Sequence, residues 1–465
     1  MQPRRREIDW RLLLVAVLCI PALWGFLTTP GLPADNDSPL YIARALQTAD
    51  LLRSGTLYSR LAPEFYRGLG SPLFSYLAPL PHALSGLHIL VTDVSATDSI
   101  RLVFCAALLL AALGMYGFAR GRLGADCGVL AALLYLYSAP LLDDLPHRLG
   151  DLAALLSFGL LPCAAWALDR AAGAARRRDH TLAVLIVAAW LLADMRYWLG
   201  GLALLCIVIS TSKRPRLLTL LCVQSVLLCA FFWLPAFVER SLVQWVPATL
   251  EGTLFPSFAP DRVLPVIVLF GAALAGSAVL IRVRKFSQNQ QRAALAFACG
   301  LVLLIALPTA LRPHSPGPNA PDTLDETRLG TYATLRGGYL LPASATEPGF
   351  LNIQPSQPAR ASAFGQFGVT LVEREPLSSH YTVNLGSAQV FRFDRYAWPG
   401  WSITIDGESH EGSTDTHGLL TCEVPPTARE VVISYGTTPD RVLGWLLSLL
   451  GAGLFLVRRI SPAAA

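Results

Sequence analysis

The chain alternates long apolar runs with short polar breaks. Ten apolar segments stand out, at 11–28, 100–119, 125–142, 151–168, 181–193, 197–211, 216–238, 263–281, 293–311 and 442–457. A bilayer core about 30 Å thick takes roughly 20 helical residues, so most of these runs predict membrane-spanning helices. The two short runs, 181–193 and 197–211, predict a hairpin with Asp194, Met195 and Arg196 at its tip. A further apolar stretch, 72–92, is interrupted by Pro79 and Pro81. A helix interior accepts proline poorly, so 72–92 predicts an interfacial or re-entrant segment rather than a span.

Two polar regions break this rhythm. The first, 29–71, follows directly on the first apolar run. Within it Ser38 and Pro39 form a helix start signal. Ile42, Leu46, Ala49 and Leu52 then recur at helical spacing, with Arg44, Gln47 and Asp50 on another face. That pattern predicts an interfacial helix over 39–53. The second region, 312–441, opens on a proline-rich linker, RPHSPGPNAPDT, and continues in period-two alternation. Trp401, Ile403 and Ile405 alternate with Ser402 and Thr404, Asp406-Gly407 marks a hairpin turn, and LLTCEV and EVVISY follow as strands.

Charge sets the orientation. Arginine clusters stand at MQPRRR, ARGR, DRAAGAARRR, SKRPR, RVRK and Arg458-Arg459. The positive-inside rule places them, and both termini, in the cytoplasm when 72–92 does not cross. The expected fold is a polytopic α-helical membrane protein of about ten transmembrane helices with a C-terminal extracytoplasmic β-sandwich. Residues 1–311 form the transmembrane domain, with loop 29–99 outside. Residues 312–441 form the β-rich domain, and 442–465 the last helix and cytoplasmic tail. The expected location is the cytoplasmic (inner) membrane.

Composition agrees and narrows the class. Of 465 residues, 53% are hydrophobic and 15% charged, which excludes an ordinary soluble domain. The net charge of +5 rests almost wholly on arginine, with Lys213 and Lys285 the only lysines. Its placement between apolar runs explains it without nucleic acid. Eight of nine cysteines fall in apolar segments and one, Cys422, in the polar region. That is neither a disulfide framework nor a metal-binding spacing. The first run lacks a clear small-residue cleavage site, so it reads as an uncleaved helix.

Charges at or near membrane depth are expensive and mark function by default. On the orientation above, Asp35 and Asp37, then Asp143, Asp144, His147, Arg148 and Asp151, then Asp194 and Arg196, then Glu239 and Arg240 gather on the outer side. Carboxylates suit a general base or a divalent metal, and arginines suit bidentate phosphate binding. Each also has a plainer reading. Asp35 or Asp37 could cap the 39–53 helix, Arg148 and Asp151 could form a local ion pair, and Asp194 and Arg196 could simply turn a hairpin. The histidines show no zinc spacing.

Three stretches carry a family resemblance. They are Asp37 to Arg44 with the run Tyr66-Arg67-Gly68-Leu69-Gly70-Ser71-Pro72-Leu73-Phe74 and Tyr76 to Leu80; His147 to Asp151 with Leu160-Leu161-Pro162; and Pro399-Gly400-Trp401 with Asp406-Gly407, Gly418-Leu419, Val424-Pro425 and Tyr435. Together they resemble the GT-C superfamily of membrane glycosyltransferases. More narrowly they look like YfhO-type membrane proteins and their relatives labelled "6-pyruvoyl-tetrahydropterin synthase-related". Relatives often carry a histidine where this chain has Tyr41, and a His-Asn pair where it has Asp194-Met195-Arg196.

The resemblance implies an inverting glycosyltransferase moving a hexose or pentose from a polyprenyl-phosphate carrier to an extracytoplasmic acceptor: a cell-envelope glycan, lipid or protein. Asp37 or Asp35 is the expected base. Arg148, Arg196, Asp151, His147, Arg44, Tyr41 and Asp194 are the expected substrate- or phosphate-binding residues. A divalent cation, Mg or Mn, would fall to Asp35, Asp37 and Asp151. The expected partners are the lipid-linked sugar donor, the acceptor and membrane lipids, with no nucleic acid. A lipid-linked sugar transporter or flippase is the first rival. A non-catalytic scaffold of glycan assembly is the second, favoured by Tyr41 and Met195.

Overall fold

The computed structural model describes residues 9–33, 36–66, 68–173, 176–313, 339–343, 345 and 368–460. All ten apolar segments are helical. The first run is two helices, α1 (Trp10–Leu18) and α2 (Ile20–Thr28), bent by 44° where Pro21 opens the second. After the polar connection comes α3 (Ser38–Arg53), with Pro39 in its first turn. The proline-broken stretch resolves into α4 (Leu73–Tyr76) and α5 (Leu80–Thr92). Thirteen residues of α5 reach about 20 Å, short of a bilayer core.

The centre of the bundle is α6 (Ala96–Leu123), α7 (Ala125–Leu136) and α8 (Leu152–Gly173). Small residues let α6 and α8 touch backbone to backbone. A Cβ on Gly159 would lie 2.4 Å from the Ala107 carbonyl oxygen, and one on Gly114 would lie 2.6 Å from the Cys163 nitrogen. Between α7 and α8 the sequence reads as a loop, but Pro140–Leu149 is a π-helical continuation of α7. Pro146 has no N–H to donate, which suits a widened turn.

The hairpin is α9 (Arg177–Leu191) and α10 (Trp198–Ser210), turning 105° through a short 3₁₀ turn at Met195–Tyr197. Then come α11 (Pro215–Leu228), α12 (Ala230–Val238), α13 (Thr249–Leu254), α14 (Pro260–Val283) and α15 (Gln288–Ala310). The last helix, α16 (Pro439–Ile460), packs along α11 and α12. Among the described residues five helices are long and apolar enough to cross a membrane, or eight if each bent pair is one span. Four of the ten runs lie in the three bent pairs, two of them in the hairpin, and the last helix is not among those counted.

Among the described residues the β-region holds two antiparallel sheets, and a further strand, Tyr339–Pro342, pairs with Val243–Val246. Five strands, Val369–Glu375, Ser378–Val383, Glu430–Tyr435, Trp401–Ile405 and Glu408–His410, lie in that order in one sheet. Gln389–Tyr396, Leu419–Val424 and Ser413–Thr414 make the other. Phe391, Phe393, Ile403, Ile405, Val431 and Ile433 are buried together in one core. The predicted hairpin turn is present: Ile405 pairs with Glu408, and Asp406 and Gly407 both have positive φ, at 49° and 88°.

The motif glycines join this region to the helices. Gly68 and Gly70 adopt positive φ, at 84° and 85°, and turn their carbonyls toward the sheets. Arg395 and Arg374 donate to the Gly68 carbonyl, and the Trp398 indole donates to the Gly70 carbonyl at 2.9 Å. A second joint is the ion pair of Arg441 with Glu239, at 2.8 and 3.0 Å. Arg441 also donates to the Pro399 carbonyl at 2.9 Å. Gly400 follows at φ 109°, where a Cβ would lie 2.6 Å from the Arg441 guanidinium.

Candidate functional site

One cavity of about 370 Å³ lies where α3, α5, the start of α8, the α9–α10 bend, α13 and α14 meet. Asp37, Tyr41, Arg44, Asp151, Asp194 and Arg196 all line it. These six come from three stretches separated by more than a hundred and by about forty residues in sequence.

Backbone geometry brings the first two stretches together. The Asp37 amide donates to the Leu149 carbonyl at 3.0 Å, and the Asn36 side chain donates to the His147 carbonyl at 3.0 Å. Gly150, at φ 63°, makes this approach feasible, because a Cβ there would lie 2.5 Å from Asn36 Oδ1. The local value of His147-Arg148-Leu149-Gly150-Asp151 is therefore in its carbonyls and its glycine. Asp37 stands just before α3, but its side chain makes no capping bond to that helix. Asn36 takes the role instead, accepting from the Ser38 amide at 2.9 Å. The cap reading of Asp37 is thus replaced by a cavity-lining one.

Asp151 caps α8, accepting from the Ala154 amide at 3.1 Å. The Tyr41 hydroxyl donates to Asp151 at 2.9 Å and accepts from the Ala153 amide at 3.1 Å. Tyr41 therefore ties α3 to α8. Arg196 donates to Asp151 at 2.8 Å and to Asp194 at 2.6 and 3.0 Å, so one guanidinium is shared by two carboxylates. The bend has folded the hairpin tip inward. Burial alone would push the Asp151 carboxyl up, but Arg196 and its hydrogen bonds outweigh that and hold it below the ordinary carboxylate range. Asp194 goes the other way. Burial, with the Asp151 charge beside it, outweighs Arg196 and keeps its carboxyl above the ordinary value.

Arg44 sits on the same wall as Asp37, 7% exposed, with its guanidinium 5.0 Å from the Tyr41 ring. On the polar side of α3, Arg44 and Gln47 are as buried as Ile42 and Ala49, while the Asp50 side chain stays 44% exposed against Arg53. Helical spacing showed two faces but not that the polar one is covered at Arg44 and Gln47.

Two predicted residues lie elsewhere. Arg148 is 71% exposed and pairs with Asp144 at 2.6 Å. The His147 ring stacks on Phe26 at 4.9 Å. Neither lines the cavity. Glu239 is committed to Arg441, and Asp35 lies outside the described residues. The reading of the sequence missed His82, Tyr76 and Arg262, all of which line the cavity. Arg262 had a usable signal: it stands in PDRVLP before an apolar run, at the end where the charge rule expects few cations. Among the described residues no three His, Cys, Asp or Glu side chains converge on one point. Of the expected set Asp35, Asp37 and Asp151, Asp35 lies outside the described residues and Asp151 already pairs with Arg196, so the described carboxylates give a cation little support.

No protein-family model and no curated protein sequence matches the chain. Among solved structures it is similar to the archaeal oligosaccharyltransferase AglB from Archaeoglobus fulgidus, in complex with an inhibitory peptide and a dolichol-phosphate. That match has 15% identity and a TM-score of 0.31, over 65% of this chain and 38% of that one. The same protein with Zn and sulfate gives 15% identity and a TM-score of 0.33, over 63% and 39%. The chain thus spans well under half the length of these neighbours, and likeness at this level does not extend to activity.

Proposed function

We propose that the protein is a GT-C-type membrane glycosyltransferase that moves a sugar from a polyprenyl-phosphate carrier to an extracytoplasmic acceptor, with inversion. The observation that carries this reading is the meeting of Asp37, Arg44, Asp151, Asp194 and Arg196 in one cavity. A mixed set of carboxylates and guanidiniums in a bounded pocket of a membrane protein suits acid–base work on an anionic substrate. Its gathering at one end of the bundle also disfavours a transport path, which needs charges distributed through the spans.

In this reading the Asp37 carboxylate takes the proton from the acceptor hydroxyl. The acceptor oxygen forms a bond to the anomeric carbon from the face opposite the carrier. The bond from that carbon to the phosphate oxygen breaks, its electron pair leaving with the carrier phosphate, which gains one negative charge. Arg44 stabilises that charge in a site with little water, where preorganised charge is most effective. Arg196 positions Asp151 and Asp194, and Tyr41 holds α3 against α8. Arg148, solvent-facing and paired, takes no part.

The test is transfer by purified protein supplied with a polyprenyl-phosphate sugar pool. Asp37→Asn should lower transfer by about 10²–10⁴-fold, the usual contribution of a positioned base. Asp35→Asn is measured alongside. Full transfer by Asp37→Asn would remove the base assignment.

A further inference from the structure

We infer that Arg262 and Arg44 form a two-sided clamp for a phosphoryl group, Arg44 from the α3 wall and Arg262 from the first turn of α14. The inference rests on the cavity being a substrate site as proposed above. It adds a binding residue from a helix that the sequence motifs do not touch, and it separates the cations that bind from the cation that positions.

The three guanidiniums lining the cavity are not equivalent. Arg196 is neutralised by Asp151 and Asp194, each within 2.8 Å. Arg44 is more than nine-tenths buried; among the described residues no ion pair within 4.0 Å and no side-chain hydrogen bond engages its guanidinium, which lies 5.0 Å from the Tyr41 ring and feels the Asp37 and Asp151 carboxylates at longer range. A guanidinium carries five N–H donors; those of Arg44 open onto the cavity, where an enclosed cation without a fixed acceptor is only partly solvated. A ligand anion would supply that acceptor.

Arg262 has the same character. Its side chain is 15% exposed, and its nearest carboxylate is its own neighbour Asp261, at 4.0 Å and 77% exposed. A solvent-screened pair at that distance contributes little. One Nη1 bond to the Phe255 carbonyl at 3.3 Å leaves most of its donors for the cavity. A cation in the first turn also sits at the positive end of the dipole of a helix 24 residues long. Charge and dipole both repel cations there and attract an anion.

The surroundings say what carries the anion. Leu250 and Leu254 line the cavity beside Arg262. The outer face of α14 continues from there with exposed Leu264 and Val268, and exposed Phe258 stands just before the helix. A phosphoryl group between the two arginines would have an apolar path along α14 for a lipid tail. The chemistry recognised is a phosphoryl anion, and the favoured source is a long-chain lipid phosphate.

The experiment measures binding to full-length protein in detergent micelles, with undecaprenyl phosphate, undecaprenol and inorganic phosphate as probes, by native mass spectrometry and ligand-dependent melting. Wild type should retain undecaprenyl phosphate over undecaprenol. Arg262→Ala should weaken that binding by about tenfold to a hundredfold, as expected for lost charge-assisted hydrogen bonds, with undecaprenol unaffected. Arg262→Lys should recover part of it, and Arg148→Ala, outside the cavity, should behave as wild type. Arg44→Ala should match Arg262→Ala; if it does not fold, the Arg262 variants decide alone.

Arg262-dependent competition by inorganic phosphate as strong as by the lipid keeps the clamp and assigns it to a soluble phosphate. Equal binding of undecaprenyl phosphate by wild type and a folded Arg262→Ala overturns the inference, as does equal retention of undecaprenol. Because the readout is binding, an intact clamp with undiminished transfer by Asp37→Asn would sink the base assignment and leave the clamp standing.

Discussion

Replacing Arg196 by Ala tests the electrostatic design of the cavity most directly. Arg196 is 24% exposed at its side chain, while Asp151 and Asp194 are 11% and 5% exposed. Its removal leaves two carboxylates facing each other with little water. Breaking a buried ion pair from one side costs about 3–5 kcal/mol, and the partial exposure of Arg196 places this case near 3 kcal/mol. The pH dependence gives a sharper signature. In the wild type Asp151 is held below its ordinary value, so its stabilising effect is present at neutral pH and is lost only in strong acid. Without Arg196, burial and mutual repulsion push both carboxyls above their unfolded values. The folded variant then takes up protons that the unfolded chain does not, so it regains stability as pH falls. The assay is thermal unfolding of detergent-solubilised wild type, Arg196→Ala and Arg196→Ala/Asp151→Asn at pH 7.5 and pH 5. The single variant should be least stable at pH 7.5, should recover at pH 5, and should be partly rescued at pH 7.5 by the second substitution. A loss below about 1 kcal/mol, or a deficit identical at both pH values, refutes the reasoning.

Two further predictions concern the joint between helices and sheets. Glu239 and Arg441 are 3% and 5% exposed, so Glu239→Ala should cost about 3–5 kcal/mol, and Glu239→Ala/Arg441→Met should recover most of it. A double variant no more stable than the single, compared by melting temperature, would count against an uncompensated charge as the cause. In the β-region, burial pushes the Asp394 carboxyl up to about 6, against the opposing pull of Arg374, Arg395 and Arg392. Its folded value lies above its unfolded one, so Asp394 lowers stability above pH 6, by at most about 3 kcal/mol, and the cost fades as pH falls through 6. Asp394→Asn should therefore melt higher than wild type at pH 7.5 and lose that part of the pH profile. Parallel profiles for the two proteins would exclude Asp394 as its source.

What the sequence determined by itself was local. Hydrophobic run length specifies helices because a buried backbone must satisfy its own hydrogen bonds, and every such run is helical, although 11–28 and 216–238 each break into two helices. Asp406-Gly407 specifies its hairpin because both positions need positive φ, which these residues tolerate. Asp37, Asp151, Asp194 and Arg196 were legible as candidates because charge beside a membrane is expensive, and Arg44 through the family resemblance. Which of them meet was a tertiary matter. Arg148 and Arg196 look alike in sequence, each an arginine near an aspartate between apolar runs. A π-helical turn leaves Arg148 in solvent against Asp144, while a 105° bend carries Arg196 between two buried carboxylates. Likewise α3 declared a polar face, but only the packing of its neighbours decided that Arg44 and Gln47 on it are enclosed. Arg262, nearly 220 residues from Arg44 in the chain, lines the same cavity. Side-chain type is written residue by residue; which side chains share a cavity depends on hinge angles and helix packing summed over the whole chain.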